Sequence, residues 1–138
     1  MNFFLLSLTF LSLFIGCARD LVTGRKTYNW YSLDQDVKLG QEVISERLKA
    51  FRKKEKKVDE EADPEMTKKI QEITRRIARV SHYPTFPYES HFADVDVVNA
   101  WCAPGGKVMV YNGLFDPEKG LVRRDNEDEL AAVLGHEI

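Results

Sequence analysis

Hydrophobic residues recur at helical spacing in three segments of the chain, and each segment predicts an amphipathic helix. The first helix follows Ser32, which forms a capping box with Gln35. The second follows Asp63, an N-cap residue with Pro64 behind it. The apolar positions of these two helices are Val37, Ile44, Leu48 and Phe51 in the first, and Met66, Ile70, Ile73, Ile77 and Val80 in the second.

The third helix is predicted from Asn126 to the end of the sequence. Asn126 is a good N-cap, and Glu129 can reach back to the N–H of the cap and close a capping box. The apolar stripe of this helix consists of Leu130, Val133, Leu134 and Ile138. Glu137 projects into that stripe, and His136 lies on its flank. A carboxylate on the buried side of a helix is costly unless a cation, a proton or hydrogen bonds compensate it, so this pair is the first candidate for chemistry.

Two further segments have the pattern of β-strands. Residues 88–98 alternate partly between polar and apolar side chains, whereas residues 107–111 hardly alternate and are expected to be buried on both faces. Helices combined with a short sheet predict an α+β fold. We expect His91 to face solvent, because no metal-spaced partner accompanies it. Asp116 and Pro117 are expected to cap a short helix.

His136 and Glu137 begin the pattern H-E-x-x-H, in which two histidines on one helical face hold zinc and the glutamate acts as general base. The sequence ends at Ile138 and does not contain the second histidine. These two residues alone leave two interpretations open. They are either the beginning of a zinc site or a coincidental pair at the end of a structural helix.

A longer stretch carries a more specific pattern. Residues 99–115 read NAWCAPGGKVMVYNGLF, and residues 126–138 read NEDELAAVLGHEI. Together they resemble the zinc metallopeptidase family of HtpX and the CAAX prenyl endopeptidase, and more closely its secreted bacterial lipoprotein branch. That family has an Asn-Ala-x-x-x-Pro-Gly-Gly turn, a β-strand, a Gly-Leu-Leu or Gly-Leu-Phe segment and a helix ending in His-Glu-Ile-Ala-His. This chain departs from it at Trp101 and Cys102, where Phe-Ala is usual, and in a short insertion around residues 117–124. It also ends before the second histidine and the downstream glutamate ligand.

The resemblance implies a zincin-like α+β metallopeptidase domain, of which this chain would be the N-terminal part. It implies a zinc-dependent metalloendopeptidase acting on proteins at the bacterial envelope, in protein quality control. His136 would bind Zn²⁺, and Glu137 would take the proton from the attacking water. The strand before the catalytic helix would align a protein or peptide substrate by backbone pairing; its residues are Val108, Met109, Val110 and Tyr111. Because a single imidazole does not make a stable zinc site, we expect this chain alone to show no zinc-dependent proteolysis.

The beginning of the chain has the pattern of an export signal. Residues 1–16 carry no charged side chain, and their apolar run is of signal-peptide length but too short to span a bilayer. Gly16 and Cys17 follow that run and resemble a bacterial lipobox, in which the cysteine is diacylated. We therefore predict a signal peptide over residues 1–16, a lipidated tether over 17–31 and the peptidase domain over 32–138. Cleavage without lipid attachment and an uncleaved anchor remain alternatives.

A lipidated Cys17 would hold the protein on a membrane of the bacterial cell envelope, facing the periplasm or the exterior. The formal net charge is −2, and charges of both signs are interspersed, so nothing indicates a nucleic-acid surface. Of the two cysteines, Cys102 is expected to be a small buried hydrophobic residue. The alternative function is that of a non-enzymatic, membrane-anchored lipoprotein with a binding or chaperone-like role.

Overall fold

A computed structural model describes residues 18–19, 26–27 and 32–138, and the chain divides into two units, Met1–Ser32 and Leu33–Ile138. In the first unit, β1 (Ala18–Arg19) and β2 (Lys26–Thr27) form an antiparallel pair. The predicted signal peptide, Cys17 and most of the predicted tether lie outside the described residues. Among the residues that are described, no helix is both long and apolar enough to cross a membrane.

The second unit combines helices with a small mixed sheet, which confirms the predicted α+β class. Its elements, in chain order, are α1 (Leu33–Lys53), a 3₁₀ helix (Asp59–Glu61), α2 (Pro64–Val80), β3 (Glu89–Ala93), β4 (Ala100–Ala103), β5 (Lys107–Tyr111), a second 3₁₀ helix (Asn112–Phe115) and α3 (Glu127–Glu137).

Strand β5 is the centre of the sheet. On one side β3 pairs with it in parallel, with Ser90 opposite Val108, and on the other side β4 pairs with it antiparallel, with Trp101 opposite Met109. The sequence pattern predicted β3 and β5 but no strand at β4. It also extended β3 too far, because that strand ends at Ala93.

The alternation of side chains along β5 gives the sheet two apolar faces. Val108 and Val110 pack in a larger core with α2 and α3, whereas Met109 and Tyr111 pack in a smaller core with α1. Every residue of β5 is buried, as predicted. The sheet therefore lies between α1 on one face and α2 with α3 on the other.

The three predicted helices are confirmed, with differences at their ends. Asp63 caps α2 as predicted, since its carboxylate accepts a hydrogen bond from the Met66 N–H at 3.0 Å. Val80, however, is 84% exposed at the last position of α2 and does not belong to the buried stripe. The stripe of this helix ends with the partly buried Ile77.

The N-terminus of α3 is capped differently from the prediction. The Asn126 side chain accepts hydrogen bonds from the N–H groups of Asp128 and Glu129, as an N-cap should. The carboxylate of Glu129 binds the N–H of Arg123 at 2.8 Å, and the N–H of Asn126 donates to the Arg123 carbonyl. The predicted hydrogen bond from the Asn126 N–H to the Glu129 carboxylate is therefore wrong, because the Arg123 N–H in the preceding turn binds that carboxylate instead.

Asp116 forms a turn rather than the predicted short helix. Its side-chain Oδ1 accepts hydrogen bonds from the N–H groups of Glu118 and Lys119, both at 2.9 Å, and its carbonyl accepts one from the Gly120 N–H. Aspartate commonly closes a turn in this way by binding backbone donors two and three residues ahead.

His91 does not face solvent, contrary to the prediction. Its Nδ1 lies 2.9 Å from an Asp59 carboxylate oxygen, and its Nε2 lies 2.9 Å from a Glu89 carboxylate oxygen. Burial alone would lower the pKa of His91, but the two carboxylates outweigh burial and raise it above its ordinary value. Glu89 also pairs with the buried Lys107 at 3.1 Å, so alternating charges run along this part of the sheet.

Helix α1 contacts the turn between β4 and β5 at Gly40. A Cβ at this position would lie 1.7 Å from the carbonyl oxygen of Pro104, so only glycine allows this approach. The turn itself requires glycine, because Gly105 and Gly106 have φ angles of +77° and +70°. The position of α1 on the sheet thus depends on a backbone-to-backbone contact.

We expect Gly40→Ala to destabilise the protein by about 1–3 kcal/mol, because overpacking against Pro104 exceeds the gain in helix propensity. Urea unfolding followed by circular dichroism measures the change. Gly135→Ala is the matched control, since Gly135 is also helical but a Cβ there meets no atom of another element within 4 Å. The control should be neutral or stabilising by up to about 1 kcal/mol. Equal effects of the two substitutions would show that α1 does not pack on this turn.

Candidate active site

Helix α3 carries His136 and Glu137, the two residues that the sequence pattern predicts to be catalytic. Leu130 and Leu134 are 1% and 0% exposed and lie in the larger core, which fixes the rotation of the helix. Glu137 lies two turns after Leu130 and therefore on the same side, and it is half-buried. His136 points more toward solvent and is exposed.

Glu137 lies beside strand β4. Cys102 of that strand packs against the larger core, on the α3 side of the sheet. Burial raises the pKa of the Cys102 thiol above its ordinary value, and the charge of Glu137 raises it further. Within residues 32–138 the Glu137 carboxylate forms no ion pair. Glu137 therefore lies at the margin of the core with no cationic partner among residues 32–138.

The strand that was predicted to align the substrate lies at the centre of the sheet and not at an edge. Val108, Met109, Val110 and Tyr111 belong to β5, and β3 and β4 occupy both of its edges. Its N–H and C=O groups are already used within the sheet, so β5 cannot pair with the backbone of a substrate. The prediction for these four residues is wrong in this respect. Within residues 32–138, β4 pairs on one side only.

The register of β4 shows which of its backbone groups point outward. The Tyr111 N–H donates to the Asn99 carbonyl, so Asn99 and Tyr111 form a hydrogen-bonded pair. In an antiparallel ladder such pairs alternate, and Trp101 and Ala103 therefore also direct their backbone groups toward β5. Ala100 and Cys102, which lie between them, direct their N–H and C=O groups away from β5.

These outward groups make β4 a pairing edge next to α3. An unpaired strand edge is a template for an extended segment of another chain. Because Cys102 lies close to Glu137, a peptide paired to β4 would pass the carboxylate. The sequence pattern missed this edge, since Ala100–Ala103 is short and its alternation is interrupted by the Pro-Gly-Gly turn.

The described residues supply one candidate zinc ligand. No group of three His, Cys, Asp or Glu side chains in residues 32–138 is arranged to hold a metal ion. His91 does not qualify as a ligand, because carboxylates engage both of its ring nitrogens. The exposed imidazole of His136 suits a ligand role, and the adjacent Glu137 suits a general base. A catalytic zinc ion takes three protein ligands, so these residues are fewer than a complete site requires.

A sequence model of peptidase family M48 matches residues 64–138, which is more than half of the chain. The matched region contains α2, the whole three-stranded sheet and α3. Its last residues include the candidate ligand His136 and the candidate base Glu137.

Three curated proteins illustrate the similarity. A mitochondrial metalloendopeptidase OMA1 from Schizosaccharomyces pombe is 29% identical over 84% of this chain. A beta-barrel assembly-enhancing protease from Yersinia pestis is 33% identical over 55% of it, and the Arabidopsis thaliana OMA1 protein is 34% identical over 44%. The matched segments cover 32%, 14% and 11% of these relatives, so the chain spans a third of their length or less.

We expect Glu137→Gln to accelerate alkylation of Cys102 by iodoacetamide in metal-free buffer at mildly alkaline pH. Removing the negative charge lowers the pKa of the thiol and raises the fraction of reactive thiolate. Mass spectrometry of the peptide containing Cys102 gives its rate separately from that of Cys17. Asp128→Asn is the matched control, because it removes a charge from the other end of α3. Identical rates in the Glu137 variant and the parent chain would contradict the proximity of Glu137 and Cys102.

Proposed function

Because the chain belongs to peptidase family M48, we propose that it forms the N-terminal part of the catalytic domain of a zinc-dependent metalloendopeptidase. Its substrates are proteins or peptides, and the reaction is hydrolysis of their peptide bonds. The observation that supports this most directly is the position of Glu137, half-buried and beside the outward edge of β4.

Glu137 acts as the general base in this proposal. Its carboxylate takes a proton from the water that attacks the scissile carbonyl and passes that proton to the leaving amine. This role requires a carboxylate that is held in place and not neutralised by a cation. The buried Leu134 holds the last turns of α3, and Glu137 has no cationic partner among residues 32–138. Partial burial also strengthens electrostatic interactions at the carboxylate.

His136 supplies one zinc ligand through an imidazole nitrogen. Its exposure at the end of α3 leaves the ring accessible, and it has no ion-pair partner in the described part of the chain. The remaining ligands are proposed to come from residues outside 32–138. When bound, zinc lowers the pKa of the attacking water and polarises the substrate carbonyl.

Strand β4 positions the substrate. The outward N–H and C=O groups of Ala100 and Cys102 pair with the backbone of an extended segment, which holds its peptide bonds beside Glu137. A helical segment cannot offer its backbone for this pairing, because its N–H and C=O groups are already bonded internally. The substrate class is therefore an extended or unfolded stretch of protein. Two of the relatives are a metalloendopeptidase and a protease, which agrees with proteolysis.

The location of the protein is proposed from its sequence alone. The apolar run ending in Gly16 and Cys17 supports export and lipid attachment at Cys17, which would anchor the protein at the bacterial cell envelope. A non-enzymatic, membrane-anchored lipoprotein with a binding or chaperone-like role is the alternative. Such a protein would bind extended peptides through β4 but would not need the Glu137 carboxylate.

We expect Glu137→Gln in the complete protein to lower kcat for cleavage of an unfolded protein by about 100-fold or more, the contribution typical of a general base. His136→Ala should lower the zinc content as well as the activity, whereas Glu137→Gln should retain zinc. The measurements are cleavage of a fluorescently labelled unfolded substrate and metal analysis of the purified protein.

Asp128→Asn serves as the control, because it removes an exposed carboxylate from the same helix and should leave cleavage unchanged. A chelator should abolish cleavage, and added zinc should restore it. Full activity of the Glu137→Gln variant, or cleavage that a chelator does not affect, would exclude the proposed mechanism.

A further inference from the structure

A groove runs along the side of β4 that faces α1, opposite to the side that faces α3. Val43 and Arg47 of α1 line one wall, and Trp101, Pro104 and Tyr111 line the other. Its volume is about 410 Å³, enough for one or two side chains. The groove also borders Cys102, so it is continuous with the pairing edge of β4.

Arg47 is the charged residue that lines this groove. Its guanidinium carbon lies 5.8 Å from the ring centroid of Trp101 and 5.8 Å from that of Phe51. Within residues 32–138, no carboxylate lies within ion-pairing distance of it. Stacking on aromatic rings orients a guanidinium while its in-plane N–H donors stay available to a carboxylate.

The aromatic wall of the groove is held in place by a hydrogen bond. The Trp101 Nε1–H donates to the Tyr111 hydroxyl at 3.1 Å, and the Tyr111 ring packs edge-on against Phe51 at 5.8 Å. Both Tyr111 and Phe51 are buried. The surface on which Arg47 lies is therefore fixed before any ligand arrives.

A peptide that pairs with β4 must send alternate side chains to the two faces of the sheet. Side chains on one face lie toward α3 and Glu137. Side chains on the other face lie toward α1, where Trp101 and Arg47 line the groove. A peptide side chain that is on this face and next to Trp101 therefore comes close to the groove.

We propose that this groove is a substrate subsite that selects an acidic side chain, which binds the guanidinium of Arg47. The inference rests on the proposed function for the presence of an extended substrate at β4. The charge of Arg47 favours an acidic side chain over an apolar one, since an apolar side chain offers the guanidinium N–H groups no acceptor. Glu46 lines the neighbouring hollow with Val43 and Arg47 but forms no ion pair with Arg47.

Peptide binding to the 138-residue chain tests this subsite without requiring cleavage. The probes are dye-labelled, capped hexapeptides of alternating Val and Thr. Each carries Glu, Gln or Lys at one of the two central positions. Fluorescence anisotropy measures their binding. We expect the Glu peptide to bind about fivefold more tightly than the Gln peptide at one of the two positions, the effect of a partly exposed ion pair. Arg47→Gln should remove the preference, and Arg47→Glu should transfer it to the Lys peptide.

Arg52→Gln is the matched control, because it removes the same charge from another side of α1 and should retain the preference for Glu. Equal affinities of the three peptides, or a preference that survives Arg47→Gln, would overturn the subsite, as would a lack of binding by every peptide. If the chain dimerises and Arg47→Glu abolishes the dimer, the groove is a contact between two copies of the chain, and the proposed subsite is overturned. None of these results affects chelator-sensitive cleavage by the complete protein, so the subsite and the protease function fail independently.

Discussion

The position of the candidate site depends on the burial of one side of α3 against the sheet. Leu130 and Leu134 are almost fully enclosed, and burial of each such side chain stabilises the protein by about 1.5–3 kcal/mol. These two contacts determine which side of the helix faces inward. Glu137 shares that side but lies at the end of the helix, where the core gives way to β4. The Glu137 residue is consequently half-buried rather than enclosed or fully exposed.

The strand order of the sheet supplies the second half of the site. With β5 in the centre, β4 becomes an edge, and its antiparallel register leaves the backbone groups of Ala100 and Cys102 directed outward. The tight turn through Gly105 and Gly106 makes this arrangement possible, because it returns the chain directly from β4 into β5. The contact of Gly40 with that turn places α1 on the opposite face. One pairing edge therefore lies between a helix that carries Glu137 and a helix that carries Arg47.

Local patterns in the sequence were sufficient for the helices and for the candidate chemistry. The caps at Asp63 and Asn126 and the apolar stripes gave all three helices, and the resemblance in residues 99–138 identified the family, which the comparisons confirm. The roles of His136, Glu137 and Cys17 stay predictions. What local patterns could not give was the pairing of strands. Strand β5 is buried because it lies at the centre of the sheet. Its apolar sequence predicted a strand correctly, but a central strand has no free edge that can pair with a substrate.

Polar contacts between residues far apart in the chain could not be predicted from local sequence patterns either. His91 contacts Asp59, which is 32 residues away in the sequence. The edge strand β4 is only four residues long, and two of these are alanines, which have little strand propensity. Its conformation follows from pairing with β5, a tertiary interaction. The groove beside it, and with it the role of Arg47, depends on that same interaction.

Amide hydrogen exchange of β4, measured by NMR in the 138-residue chain with and without an extended peptide, tests most directly whether substrates add to this edge. The amides of Trp101 and Ala103 should exchange slowly in the free chain, and those of Ala100 and Cys102 should exchange rapidly. Saturating peptide should slow exchange at Cys102 without changing the amides of β5. A Cys102 amide that is already protected in the free chain, or that stays unprotected with bound peptide, would contradict the placement of the substrate beside Glu137.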